Sequence, residues 1–134
     1  MSGKDNIQTV KDIYDAFGRG DVATILDAVT DDVSWGSEAS TADAPWWGVR
    51  KGKQQTGAFF EELGKAVEVE EFTPLAFAAT DDGDVLTVVR YGARSRETGK
   101  SVSMNIHHWW TFTDGKISQY RGSEDTVATA AMLK

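Results

Sequence analysis

The chain has 134 residues, 40% hydrophobic and 26% charged, with a formal net charge of -7 and no cysteine. That length suits a single domain, residues 1–134, built on one core, and the absent cysteines exclude disulfides, a thiol nucleophile and thiolate metal ligands. The acidic balance without a basic stripe argues against nucleic acid as a partner; no apolar run has the length of a membrane span or forms a signal peptide, so cytoplasmic residence without a membrane partner is the expectation.

Ile7, Val10, Ile13, Tyr14 and Phe17 draw one stripe on a first helix, with Asp5 or Asn6 as its cap and Gly18-Arg19-Gly20 as its stop. Asp21 caps a short second helix that turns Val22, Ile25, Leu26 and Val29 inward. Thr30-Asp31-Asp32 breaks that helix and leads into a short strand, Val33 to Ser37. Residues 36–51 read as a long irregular loop that holds Glu38, Asp43, Pro45, Trp46 and Trp47. A third helix runs from about Lys53 to Ala66, with Phe59, Phe60 and Leu63 inward.

From Val67 the period changes from helical to alternating. Strands are predicted over 67–78, 85–97, 101–113 and 116–123, with turns at Asp82-Gly83, Thr98-Gly99 and Asp114-Gly115. Thr73-Pro74 marks a bend or an edge position, because proline cannot donate to a central ladder. Asp125 caps a short closing helix over 126–133. The order ααβαββββ, with that last helix, predicts an α+β domain: a cone-shaped, curved antiparallel sheet on three helices from the front half of the chain. The wide end of such a cone is hard to fill, so an apolar pocket is expected there.

The strand 101–113 says most about function. Val102, Met104, Ile106, His108, Trp110 and Phe112 share one face, and Ser103, Asn105, His107, Trp109 and Thr111 the other. The first row is apolar except for His108, so it should face the core, where burial disfavours the charged imidazole. A neutral imidazole there can act as a general base or a hydrogen-bond donor, or it can be an inert core histidine with a satisfied partner. Trp109 on the outer face points to a homodimer through that side of the sheet, or is a single exposed aromatic without meaning. His107 and His108 point opposite ways and cannot share a metal, so neither a metal nor any cofactor is expected.

The chain resembles the nuclear transport factor 2-like superfamily, which includes ketosteroid isomerase and the SnoaL-like polyketide cyclases. The resemblance rests on Phe17-Gly18-Arg19-Gly20-Asp21, Thr30-Asp31-Asp32-Val33, Gly48-Val49-Arg50-Lys51-Gly52, Thr98-Gly99-Lys100, Phe112-Thr113-Asp114-Gly115-Lys116-Ile117 and Glu124-Asp125-Thr126, and it covers nearly the whole chain. It implies the cone fold. The ketosteroid isomerase base falls at Ser37, beside Glu38; its oxyanion-holding acid falls at His108; its first-helix tyrosine falls one residue from Tyr14. The acidic and arginine positions of limonene epoxide hydrolase fall at Val89, Tyr91 and Gly122, which excludes that chemistry. Scytalone dehydratase resembles the chain in using histidine and tyrosine groups in such a pocket.

The expected ligand is a small apolar or aromatic molecule. The leading reading is a cofactor-independent isomerase, cyclase or dehydratase acting on a hydrophobic carbonyl compound. His108 would be its base or electrophile, Tyr14 its oxyanion donor, and Glu38 or Glu124 the second acid/base group. Trp35, Trp47, Phe60, Met104, Trp110 and Tyr120 would contact the ligand. Two alternatives stand beside it: a non-catalytic binder of an apolar ligand, and a structural dimer module whose own side chains fill the cavity.

Overall fold

A computed structural model describes residues 2–134. The first helix, α1 (Gly3–Gly18), is capped by Ser2, whose hydroxyl accepts from the Asp5 amide at 3.1 Å. The cap is therefore neither Asp5 nor Asn6. Asp5 lies in the first turn, where its charge meets the positive end of the helix dipole. Asn6 is buried, and its amide donates to the Gly83 carbonyl at 2.9 Å, which ties the helix start to a hairpin 77 residues on. Asp21 caps α2 (Val22–Asp27) by accepting from the Thr24 amide.

The first strand, β1 (Val29–Ser37), begins four residues before the expected start. Thr30-Asp31-Asp32 does not break the chain, because the extended backbone lets both carboxylates point to solvent. Part of the expected loop is a strand, β2 (Gly48–Lys51), antiparallel to β1. A side chain at Gly36 would meet the Gly48 carbonyl oxygen at 2.1 Å, so this pairing requires glycine there. Next come α3 (Gly52–Ala66), β3 (Val67–Ala79), β4 (Val85–Ser95), β5 (Ser101–Thr113), β6 (Lys116–Ser123) and α4 (Thr126–Leu133). Asp114 and Gly115, with φ of 50° and 80°, make the β5–β6 turn, the backbone that an Asp-Gly hairpin supplies.

The six strands form one open sheet in the order β2-β1-β6-β5-β4-β3. The four hairpin-linked strands β3–β6 pair antiparallel, as expected, and the sheet becomes mixed where β1 lies parallel to β6, with Trp35 beside Tyr120. Hairpin turns dictate antiparallel pairing only between consecutive strands. β1 is separated from β6 by most of the chain, and nothing local fixes its direction. Pro74 sits on β3, the edge strand, as its missing donor requires. Glu68 and Glu70 on that edge pair with Arg94 of β4, and such charges discourage edge-to-edge association.

The helices α1 and α3 pack on one face of the sheet, and α4 closes on β4 and β5, where Thr98 donates to the Met132 carbonyl at 2.7 Å. Along β5, Met104, Ile106, His108 and Trp110 are buried while Ser103, Asn105, His107 and Trp109 are exposed, so the even-numbered row faces the interior. β4 supplies the neighbouring inward row Val85, Thr87, Val89, Tyr91 and Ala93, all buried. Trp110 is the largest fully buried side chain, packed against the rings of Trp35, Tyr14 and Tyr120. Contacts of this kind add about 0.5–1.5 kcal/mol per ring pair to the area buried. Among the described residues no helix is long and apolar enough to cross a membrane.

Candidate functional site

Between the helices and the inner face of the sheet lies a half-open cavity of about 90 Å³. Its wall is mostly aromatic, and three elements converge on its polar centre. α1 brings Tyr14 on its buried stripe and β5 brings His108, both on the wall, while β4 brings Thr87, directly opposite His108 in the strand register and buried behind the wall. The Tyr14 hydroxyl lies 2.7 Å from Thr87 Oγ1 and 2.7 Å from His108 Nδ1. One phenol thus bridges a hydroxyl and an imidazole inside an apolar wall.

Burial controls the charge of this group. Desolvation, with a smaller contribution from the neighbouring His107 charge, pushes the His108 pKa down from 6.5 to about 3, so the ring is neutral at pH 7. Tyr14 is pushed up to about 12 by burial, against the opposing hydrogen bond from Thr87 and a weaker influence of Trp110. Tyr91 and Tyr120, both on the cavity wall, are raised by burial first and then by the charge of Glu124 and neighbouring phenols. The three phenols and the imidazole are all held neutral.

Glu124 is the charged side chain of the wall. Its Oε1 accepts from Trp47 Nε1 at 3.0 Å and its Oε2 from the Thr129 hydroxyl at 2.5 Å. It follows the last strand and precedes Asp125, whose side chain caps α4 by accepting from the Ala128 amide. The carboxylate is thereby fixed between the loop before β2 and the closing helix.

Of the residues singled out from sequence, Tyr14, His108, Glu124, Trp35, Phe60, Trp110 and Tyr120 meet at this cavity. Three do not. Glu38 points outward, its side chain three-quarters exposed and 4.0 Å from Arg121, because it lies just past the end of β1 where the chain leaves the sheet. Trp47 is buried but away from the wall, and it reaches the site only through its bond to Glu124; its neighbour Trp46 lines the cavity instead. Met104 shares the inward row of β5 but is spent on core packing beyond the cavity.

Thr87, Tyr91 and Phe72 were not among the candidates. The signal for Thr87 and Tyr91 was present in β4, whose alternation places one hydroxyl and one phenol in an otherwise aliphatic inward row. Gly122 has a specific use. A side chain there would come within 2.4 Å of the Tyr120 hydroxyl and 3.5 Å of His108 Cδ2, so its absence lets Tyr120 fold back beside the imidazole.

A family model of the SnoaL-like domain matches residues 10–120. None of the curated proteins matches the chain in sequence. Among solved structures, the chain is similar to an NTF2-like protein of Burkholderia xenovorans, with 27% identity and a TM-score of 0.87 over 100% of this chain and 99% of that one. An NTF2-like protein of unknown function from Burkholderia pseudomallei superposes with a TM-score of 0.89 at 23% identity, covering 100% of this chain and 99% of that one. TerC, crystallised with polyporic acid, gives a TM-score of 0.85 at 22% identity over 96% of this chain and 98% of its own. The family match spans most of the sequence, and the cone of helices and sheet agrees with it: the chain belongs to the SnoaL-like domain family of the NTF2-like superfamily.

Proposed function

We propose that the cavity takes a small, flat, apolar molecule bearing a carbonyl group and moves a proton on it, as an isomerase, cyclase or dehydratase without a cofactor would. The observation that carries this reading is the Tyr14–His108 bond at 2.7 Å inside a wall with one fixed carboxylate, Glu124. A neutral imidazole in an apolar site polarises a carbonyl strongly, since water does not compete for the bond. Glu124 would accept the proton. TerC, which shares the fold, was crystallised with a small molecule, polyporic acid.

A second reading, binding without turnover, draws on a different observation. The imidazole and all three phenols are held far from titration at neutral pH, whereas acid/base groups work best near it. The two readings part in one experiment. With 1-indanone in D2O, the enzyme reading expects exchange of the α-protons, followed by proton NMR, to be accelerated by the native protein and to drop at least ~100-fold in His108→Gln. Binding of 1-indanone without any acceleration of exchange decides for the binder.

We also propose a homodimer through the outer face of the sheet. What supports it is an exposed apolar pair, Trp109 on β5 directly opposite Leu86 on β4, each nearly half exposed.

A further inference from the structure

We infer that His108 is held as the tautomer with its proton on Nε2, so that the cavity offers its ligand a hydrogen-bond donor and selects a neutral molecule with an acceptor atom, such as a carbonyl oxygen, at that edge. The ligand half of this inference rests on the reading proposed above; the tautomer stands on geometry alone. The Tyr14 hydroxyl has one proton and two partners, Thr87 Oγ1 and His108 Nδ1, each at 2.7 Å. Two arrangements fit those distances. In one, Thr87 donates to Tyr14 and Tyr14 donates to Nδ1; both hydroxyl protons are used, and the imidazole proton sits on Nε2 of a ring that lines the cavity, where a ligand can accept it. In the other, Nδ1 donates to Tyr14 and Tyr14 donates to Thr87.

The second arrangement strands the Thr87 proton. Thr87 is 3% exposed and Tyr14 is its hydrogen-bond partner among the described residues, so its hydroxyl would be a buried donor with no acceptor. That penalty favours the first arrangement by roughly five- to a hundredfold in population. Thr87 is therefore a positioning residue that acts through Tyr14 on His108.

The free Nε2 edge has a companion. The Tyr120 ring packs edge-on against the imidazole, centroids 5.1 Å apart, and its hydroxyl and His108 Cδ2 border the space that a Gly122 side chain would fill. A phenol O–H on this side of the cavity can give the same acceptor oxygen a second donor. No Lys or Arg lines the wall among the described residues, and Glu124 does. A carboxylate-bearing ligand would lose its hydration against a like charge with nothing to replace it.

The test is made on the native protein with 15N-labelled histidine, by long-range proton–nitrogen correlation at pH 7. The expected His108 pattern is a protonated, pyrrole-type Nε2 and a lone-pair-bearing Nδ1; exposed His107 gives a second set of signals in the same spectrum. A protonated Nδ1 overturns the inference. The second measurement titrates 1-indanone against indane, which has the same skeleton without the oxygen. About fivefold or tighter binding of the ketone is expected. Equal affinities overturn the ligand half. Binding of neither overturns that half together with the reading it rests on, and leaves the tautomer to the nitrogen spectrum.

Discussion

The two faces of β5 carry the same residue types in neighbouring positions and give them opposite fates. His107 and Trp109 look outward; His108 and Trp110 look inward. Trp110 is 1% exposed and Trp109 is 46% exposed. The inner tryptophan is ringed by aromatic side chains, whereas the outer one lies on the sheet with its N–H donating to Asp84 at 2.9 Å. The inner imidazole is stripped of its charge by burial, and the charge it avoids is part of what shapes the site. Chemical identity therefore decides little along this strand. The pleat decides, by sending each alternate side chain into low dielectric or into water.

The contrast is broken most severely at the tryptophans. Trp110→Ala should cost about 3–5 kcal/mol of unfolding free energy, because it removes a fully buried ring and leaves a void beside Trp35 and Tyr14. Trp109→Ala, in protein dilute enough to be monomeric, should cost about 1 kcal/mol or less, the scale of one exposed hydrogen bond and some partly buried area. Urea denaturation followed by circular dichroism measures both. Equal losses at the two positions would mean that the faces are not distinct.

A smaller effect comes through pH, at the inner histidine. Folded His108 has a pKa of about 3, below the 6.5 of an unperturbed imidazole. Between those values the unfolded chain binds a proton that the folded chain refuses, so stability rises with pH and is lost as pH falls below about 6.5. The slope approaches ~1.4 kcal/mol per pH unit. Over the window from about pH 6 to pH 4.5 this one group should take on the order of 2 kcal/mol from the native protein. His108→Gln should flatten that dependence. Denaturation midpoints taken at several pH values in this window give the answer, and a flat native profile would show that His108 is accessible to protons.

Much of this was legible in the sequence. Alternation fixed which residues of β5 point inward, since period 2 leaves no other choice on a half-buried strand. Stripe and cap residues located α1, α2, α3 and α4 to within a few positions. What escaped was long-range. The short β2, four residues with exposed and half-exposed side chains, has no apolar pattern and exists only because β1 lies beside it. The parallel β1–β6 pairing leaves no local trace either. At the site, residues projecting from regular elements, such as Tyr14, His108, Trp110 and Tyr120, were placed by periodicity. Glu38 and Trp47 sit where the chain leaves the sheet, and there periodicity says nothing about direction. The alternation of β4 points Thr87 inward, but a threonine in a β-strand is ordinary by composition, and its role depends on a tyrosine 73 residues earlier.

The smallest expected effect on folding sharpens the outer face. Trp109→Glu places a carboxylate on an exposed strand position beside Leu86, and surface changes of this kind alter monomer stability by about 0.5 kcal/mol, plus the lost bond to Asp84. In a homodimer built on this face the same change brings two new carboxylates together in a partly dehydrated interface, where like charges repel strongly. The chain is already acidic, with a net charge of -7, so no surplus of cations is at hand to absorb them. Light scattering after gel filtration should therefore give twice the chain mass for the native protein and a single chain mass for the variant, with unchanged far-ultraviolet circular dichroism. A native protein that elutes as a single chain at tens of micromolar would leave Trp109 as an isolated exposed ring, and the outer face would carry no partner of its own kind.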